Sequence, residues 1–242
     1  MERPRVLVTR PEPSAARTAK ALVQLGYEPV VLPLTQTQAL SDAAVPEPVD
    51  LIAITSANAV RHAPAALIAE LRDLPVLAVG ARTAEAAKMA GFSEVEDVGG
   101  TAALLAAALI ERTPAGVGIA YLCGTPRKPT LEAQLRQSGR TVHAIETYAA
   151  FRLVPDRVAV EALAEHGFDA VLVYSTESAA ALLDLLAQLE RHVWESAAFV
   201  CLSLDIARAL PLHLRVLIAQ TPNEASLLTC LERLFATRSD PN

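Results

Sequence analysis

Several polar clusters in this chain come directly after short apolar runs and open helix-period stretches. Thr55-Ser56-Ala57-Asn58 and Ser175-Thr176-Glu177-Ser178 carry hydroxyl and amide side chains. Such groups cap the following helix or donate to a ligand lying outside the carboxyl ends of parallel strands. Gly80-Ala81-Arg82-Thr83 and Cys123-Gly124-Thr125-Pro126-Arg127-Lys128 set a glycine, over which an anion can approach the backbone, beside a cation. Arg10 ends the first apolar run and Thr221 the last. The chemistry these residues suit is the holding of anions. Each also has a plainer reading: a hydroxyl at such a turn serves any parallel-sheet protein as a cap, and a single arginine serves as a solvated charge. Several on one rim favour binding. Tyr148 stands apart, closing Glu146-Thr147-Tyr148 at the end of a strand where the chain passes into a linker. A phenol there donates a hydrogen bond or a proton, or simply packs. Tyr27, Tyr121 and Tyr174 read as packing residues.

The elements that must position these groups recur about eight times. Val6-Leu7-Val8-Thr9-Arg10, Leu51 through Ser56, Val76 through Gly80, Val95 through Gly100, Ile119 through Gly124, Val171 through Thr176, Phe199 through Ser203 and Val216 through Thr221 are β-type runs ending in small polar residues. They predict strands buried on both faces, each succeeded by a turn that leaves free N–H groups at a helix start, along one rim. Between them lie helix-period stretches: Pro11 to Leu25, Ala57 to Leu71, Arg82 to Ala90, Thr101 to Ile110 and Pro129 to Gln137. Gly26, Gly91 and Gly139 stand where helix stops are expected.

The order then repeats. Val49 to Ser56 matches Phe168 to Ser175 at an offset of 119, Val76 to Gly80 matches Phe199 to Ser203 at 123, and Leu25 to Leu32 matches Ser138 to Ile145 at 113. A steady offset over three blocks predicts an internal duplication into two similar α/β units. Pro33 to Pro48 and Thr147 to Asp156 break the rhythm and read as extended linkers able to pair as two strands. From spacing alone, the chain either crosses at both linkers or splits into contiguous halves near Pro114.

Composition bounds the partners. The 242 residues are 52% hydrophobic and 20% charged, with a net charge of −6. That charge gives no basic field for nucleic acid or acidic membranes, so an anionic ligand has to be held locally. Cys123, Cys201 and Cys230 are widely spaced and read as reduced thiols rather than disulfides or metal ligands. No leader or membrane-span pattern is evident, which predicts a soluble cytoplasmic protein, and no long exposed apolar stripe demands a partner, so a monomer is expected. Arg238 to Asn242 read as a frayed end. The G-x-G-x-x-G, Walker A, G-x-S-x-G and H-E-x-x-H patterns do not occur, and His62, His143, His166, His192 and His213 are scattered and read as surface or core residues.

In their order and spacing, Val6-Leu7-Val8-Thr9-Arg10-Pro11, Gly26-Tyr27-Glu28-Pro29, Pro33-Leu34, Ile54 through Val60, Val79 through Ala84 and Gly139 through Tyr148 resemble the uroporphyrinogen-III synthases. The resemblance implies two similar flavodoxin-like/Rossmann-like parallel-sheet domains joined by a two-stranded linker. It favours the crossed arrangement, with residues 1–34 and 152–242 in one domain, 40–147 in the other, and linkers at 35–39 and 148–151. It implies a cofactor-free, metal-free lyase that closes hydroxymethylbilane, a linear tetrapyrrole with eight carboxylates, into uroporphyrinogen III with loss of water and inversion of ring D. The bilane is expected to be held between two rims and received from the enzyme that forms it by a transient hand-over. Tyr148 matches the family's tyrosine at this strand and is expected to protonate or hydrogen-bond the departing hydroxyl. The substrate contacts expected are Arg10, Thr55, Ser56, Asn58, Gly80, Arg82, Thr83, Gly124, Thr125, Arg127, Ser175, Thr176, Ser178 and Thr221. One departure stands out: Ser203-Leu204-Asp205-Ile206-Ala207-Arg208 replaces the family's Gly and Thr at that turn, and Asp205 puts a negative charge on a rim meant for carboxylates unless it only caps a helix. A weak or regulatory tetrapyrrole-binding module, or a two-lobed small-anion binder, is the competing expectation.

Overall fold

Short Val, Leu, Ile and Ala runs bounded by Gly, Ser and Thr form strands, and the Ala- and Leu-rich stretches between them form helices. The computed structural model describes residues 3–41, 45 and 48–236, so the terminal segment 238–242 and part of the first linker lie outside the described residues. In chain order the elements are β1 (Arg5–Val8), α1 (Ser14–Gln24), β2 (Glu28–Val31), β3 (Thr35–Ala39), β4 (Leu51–Ile54), α2 (Ala57–Arg61), α3 (Ala65–Leu71) and β5 (Val76–Ala78). Next come α4 (Ala81–Ala90), β6 (Val95–Asp97), α5 (Ala102–Arg112), β7 (Gly118–Thr125), α6 (Thr130–Gln137) and β8 (Thr141–Arg152). The last are α7 (Arg157–His166), β9 (Ala170–Val173), α8 (Thr176–Leu186), β10 (Ala198–Cys201), α9 (Leu204–Ala207), β11 (Arg215–Ile218) and α10 (Glu224–Ala236).

The chain divides into two compact units, Met1–Gln36 with Phe151–Asn242, and Thr37–Ala150. The first holds a parallel sheet in the order β11-β10-β9-β1-β2, and the second sheet runs β3-β8-β7-β4-β5-β6. Counted from β9 and from β4, both sheets read third-second-first-fourth-fifth, the order of the first five strands of the six-stranded dinucleotide-binding fold, with β3 added beside β8. The blocks that repeat in sequence occupy the same places: β4 and β9 are central, β5 and β10 stand next to them, and β2 and β8 lie on the far side. Both units are α/β, with side chains buried on each face of each sheet. Val6 and Val8 pack on one face of β1 and Leu7 on the other, and in the second unit Ala53 and Ile52 divide in the same way.

Four details correct the sequence reading. The eight strand ends do not share a rim: those of β1, β9, β10 and β11 belong to one sheet, and those of β4 to β7 to the other. β6 and β11 are not buried on both faces, because each is an edge strand with exposed side chains. The helix expected over 57–71 is two helices broken at Pro64, whose missing N–H cannot continue the ladder. Finally, β8 runs on to Arg152, so Tyr148 sits within a strand rather than at its end.

Candidate functional site

Parallel pairing brings the carboxyl ends of β1, β2 and β9 to β11 to one side of their sheet and those of β4 to β8 to one side of theirs, and the strand order reverses between the first and fourth strands of each unit. In open α/β sheets that reversal is where ligands gather. In the second unit it lies between β4 and β7, beside β8.

Here β7 and β8 pair with Leu122 opposite Ile145 and Cys123 opposite Glu146, and then Gly124 opposite Tyr148. Thr147 is therefore the extra residue of a β-bulge. Because side chains alternate along a strand, one inserted residue moves every later side chain to the other face. Glu146 stays on the side of Arg127, and Tyr148 packs with Ile145 and the residues of β4 and α2. The bulge is pinned: Thr147 is fully buried, and its hydroxyl donates to the Ala59 carbonyl at 2.7 Å and the Cys123 carbonyl at 3.4 Å.

The Tyr148 ring lies where a side chain at position 124 would be. A Cβ on Gly124 would stand 2.2 Å from its Cζ, so the absent side chain of Gly124 makes room for the tyrosine. His62, which closes α2, stacks on the same ring with centroids 5.7 Å apart and planes inclined by 30°. Its Nε2 lies 2.9 Å from Thr37 Oγ1 in β3. Burial, and then the charge of Arg61, hold the His62 pKa below its ordinary value. Neither the bulge nor the histidine is legible in the sequence, since both depend on which residues meet across β7, β8 and α2.

The other expected contacts of this unit divide into available and committed groups. Ser56 caps α2 by accepting from the Asn58 N–H at 3.2 Å, and Asn58 Oδ1 accepts from Arg61 at 3.3 Å. Their own O–H and amide N–H donors remain on the rim. Thr55 pairs with the Tyr121 hydroxyl at 2.9 Å. Gly80 adopts φ +80° at the start of α4, yet its N–H donates to Asp97 Oδ1 at 2.9 Å, and the Gly99 N–H donates to the same oxygen at 2.9 Å. A carboxylate of the chain itself thus occupies the nest expected to take an anion. Thr83 is buried in the first turn of α4, while Arg82 is exposed there and Thr125 is half-buried. Arg127 is not an available cation. Its Nε and Nη2 donate to the buried Glu132 at 3.3 and 3.1 Å, and its Nη1 donates to Glu146. Burial alone would lower its pKa, but these two partners outweigh that and raise it, and Arg136 lies 3.8 Å from the same Glu132.

At the reversal point of the first unit, between β9 and β1, the residues satisfy one another. Arg10 is nine-tenths buried; it donates from Nη1 to Glu224 at 2.8 Å and to Thr18 at 3.1 Å, and its guanidinium lies 3.9 Å from the centroid of the Tyr174 ring. Thr18 and Tyr174 also donate to Glu224, the latter at 3.2 Å. Arg10 therefore ties β1 to α10 instead of offering a free charge, a correction no local pattern could supply, since Glu224 lies 214 positions away. Ser175 caps α8 by accepting from the Ser178 N–H at 3.0 Å, and the two hydroxyls pair at 2.8 Å, with Ser178 buried. Thr176 and Thr221 are exposed, and Thr221 Oγ1 accepts from Asn223 at 2.9 Å. Asp205 lies in the first turn of α9, 3.8 Å from Arg208, and Ser203 holds the cap position.

The Arg10–Glu224 pair makes a stability prediction. Burial raises the Glu224 carboxyl, but the hydrogen bonds from Thr18, Tyr174 and Arg10, together with the Arg10 charge, outweigh it and leave the pKa below the ordinary 4.5. A carboxylate depressed in the native state contributes stability above its unfolded pKa and loses it as pH falls through the native value. Glu224→Gln is expected to cost about 2 kcal/mol at pH 7. The difference from the parent chain, measured by urea unfolding, should shrink below about pH 4. A constant difference down to pH 3 would show that the charge contributes nothing.

Two units of one topology, one of them discontinuous in sequence, with polar strand-to-helix turns and a phenol held on a bulged strand, define a duplicated two-domain α/β enzyme. Residues 16–229 match the family model described as HEM4, uroporphyrinogen-III synthase HemD. The chain belongs to that uroporphyrinogen-III synthase family, whose members are lyases of tetrapyrrole biosynthesis. Among solved structures, uroporphyrinogen-III synthetase from Helicobacter pylori is similar in fold, with a TM-score of 0.61 and 17% identity over 96% of this chain and 100% of that one. A mutant uroporphyrinogen III synthase from Thermus thermophilus gives a TM-score of 0.58 and 22% identity over 96% and 99%. A sequence search of curated proteins returned no match.

Proposed function

We propose that the chain closes hydroxymethylbilane into uroporphyrinogen III and that Tyr148 acts on the departing hydroxyl. What carries this reading is the seat of Tyr148: a bulge, a glycine that yields its side-chain space and a stacked ring all serve one phenol beside the reversal point of the second sheet. As the C–O bond of the bilane breaks, Tyr148 gives its proton and water leaves. The resulting azafulvenium carbon is attacked by the substituted carbon of ring D, the spiro intermediate fragments, and closure in the inverted sense releases one proton, which restores the phenol. The open bilane closes unaided to the uninverted isomer, so holding the chain in the spiro geometry is the larger share of the task. The donors left uncommitted in the second unit, Ser56, Asn58 and Thr125, suit the substrate carboxylates.

The described residues contain no helix long and apolar enough to cross a membrane. Burial raises the thiols of Cys123 and Cys201 to about 12, so both stay protonated at neutral pH. The test is the isomer composition formed from hydroxymethylbilane by the purified chain with no additive. Uroporphyrinogen III as the main product is expected. The uninverted isomer alone, formed at the buffer rate, would sink the proposal in favour of a binding or regulatory module.

A further inference from the structure

We infer that His62 is a positioning residue for Tyr148, holding the phenol ring in the orientation that delivers its proton to the bilane hydroxyl. The inference rests on the reading of Tyr148 given above. A phenol on a strand turns about two side-chain bonds, and its oxygen, several bonds from the backbone, sweeps a wide arc unless the ring is confined. Here two residues from separate elements confine it: Gly124 of β7, whose missing side chain makes room for the ring, and His62 at the end of α2, stacked on it at 5.7 Å. The imidazole is itself restrained, because Nε2 bonds to Thr37 Oγ1 at 2.9 Å and the backbone N–H of His62 donates to the Asn58 carbonyl at 3.0 Å. Thr37 belongs to β3, which flanks β8 in the sheet, so histidine and tyrosine are referred to neighbouring strands of one ladder. A small displacement of a group that acts on a reacting atom is costly in rate, whereas binding of the remaining substrate is little changed.

The experiment compares His62→Ala, His62→Phe and His62→Gln with Tyr148→Phe and the double variant Tyr148→Phe/His62→Ala, reading kcat, KM and isomer ratio, with thermal unfolding as a check on folding. His62→Ala is expected to lower kcat about tenfold, leave KM within about twofold, and raise the share of uninverted product. His62→Phe, which keeps a stacked ring, should recover most of kcat, and His62→Gln, which keeps only a hydrogen-bonding group, should recover less. In the Tyr148→Phe background, His62→Ala should cause no further loss, because the residue acts only through the phenol. A full-rate His62→Ala beside a slow Tyr148→Phe would overturn the role of His62 and leave that of Tyr148 standing. So would losses that multiply in the double variant, or a His62→Phe as slow as His62→Ala. A full-rate Tyr148→Phe would instead overturn the reading of Tyr148, and the inference with it.

Discussion

Tyr148→Phe is expected to slow formation of uroporphyrinogen III about 100-fold, the lower end of what a positioned general acid supplies. The ring, its stack on His62 and its place over Gly124 all survive the substitution, so the fold and the KM for the bilane should change little. Only the proton is removed, and in the proposed mechanism it is needed as the C–O bond breaks, which puts the expected loss in kcat. The isomer ratio provides a second readout. Because unaided closure of the bilane gives the uninverted product at a rate the enzyme does not control, a slower enzyme yields more of it. Stopped assays that separate the two isomers measure both effects. A variant with parental rate and parental ratio would remove Tyr148 from the chemistry.

Gly124→Ala is expected to disturb the same group from the opposite side. The new methyl would fall 2.2 Å from Cζ and 2.5 and 2.6 Å from the two Cε atoms of the Tyr148 ring, so the ring must leave its seat or β7 must part from β8. The obstacle is steric overlap with the ring and not backbone strain, since Gly124 is not among the glycines with positive φ. Overpacking of this kind costs about 1–3 kcal/mol. Activity should fall about as far as in Tyr148→Phe, because a displaced phenol is as useless to the leaving group as an absent one. Adding Tyr148→Ala to Gly124→Ala should return much of the lost stability without restoring activity, a non-additivity expected only of residues in direct contact. Urea unfolding and kcat measured on the three variants decide the matter. Parental stability together with parental rate in Gly124→Ala would show that the ring has another place to lie.

Much of the architecture can be read from local pattern. All eight apolar runs form strands, and the six apart from β6 and β11 do so because short continuous apolar segments have few other ways to bury both faces. The repeat offsets of 113 to 123 pair strands that prove topologically equivalent. Boundaries are less legible where one residue outweighs a period: Pro64 divides a helix that hydropathy joins, and the pairing of β8 with β7 carries it past Tyr148.

The candidate site is legible as a set of residue types but not as a set of free groups. Arg10, Arg127 and Gly80 look like anion holders because the sequence displays a cation or a free N–H and conceals what satisfies it. Their partners are Glu224, Glu132 with Glu146, and Asp97, each brought up by an element whose position only the folded sheet defines.

From the order of its residues alone this chain is committed to two parallel-sheet units with polar turns after the strands, since local burial and capping depend on neighbours a few positions away. Whether the first strand joins the second half, which cations are already neutralised, and how one inserted threonine turns Tyr148 toward Gly124 and His62 are decided by tertiary structure. Those outcomes depend on contacts between separate elements, and a bulge that reverses the faces of a strand is fixed only when that strand meets its neighbour.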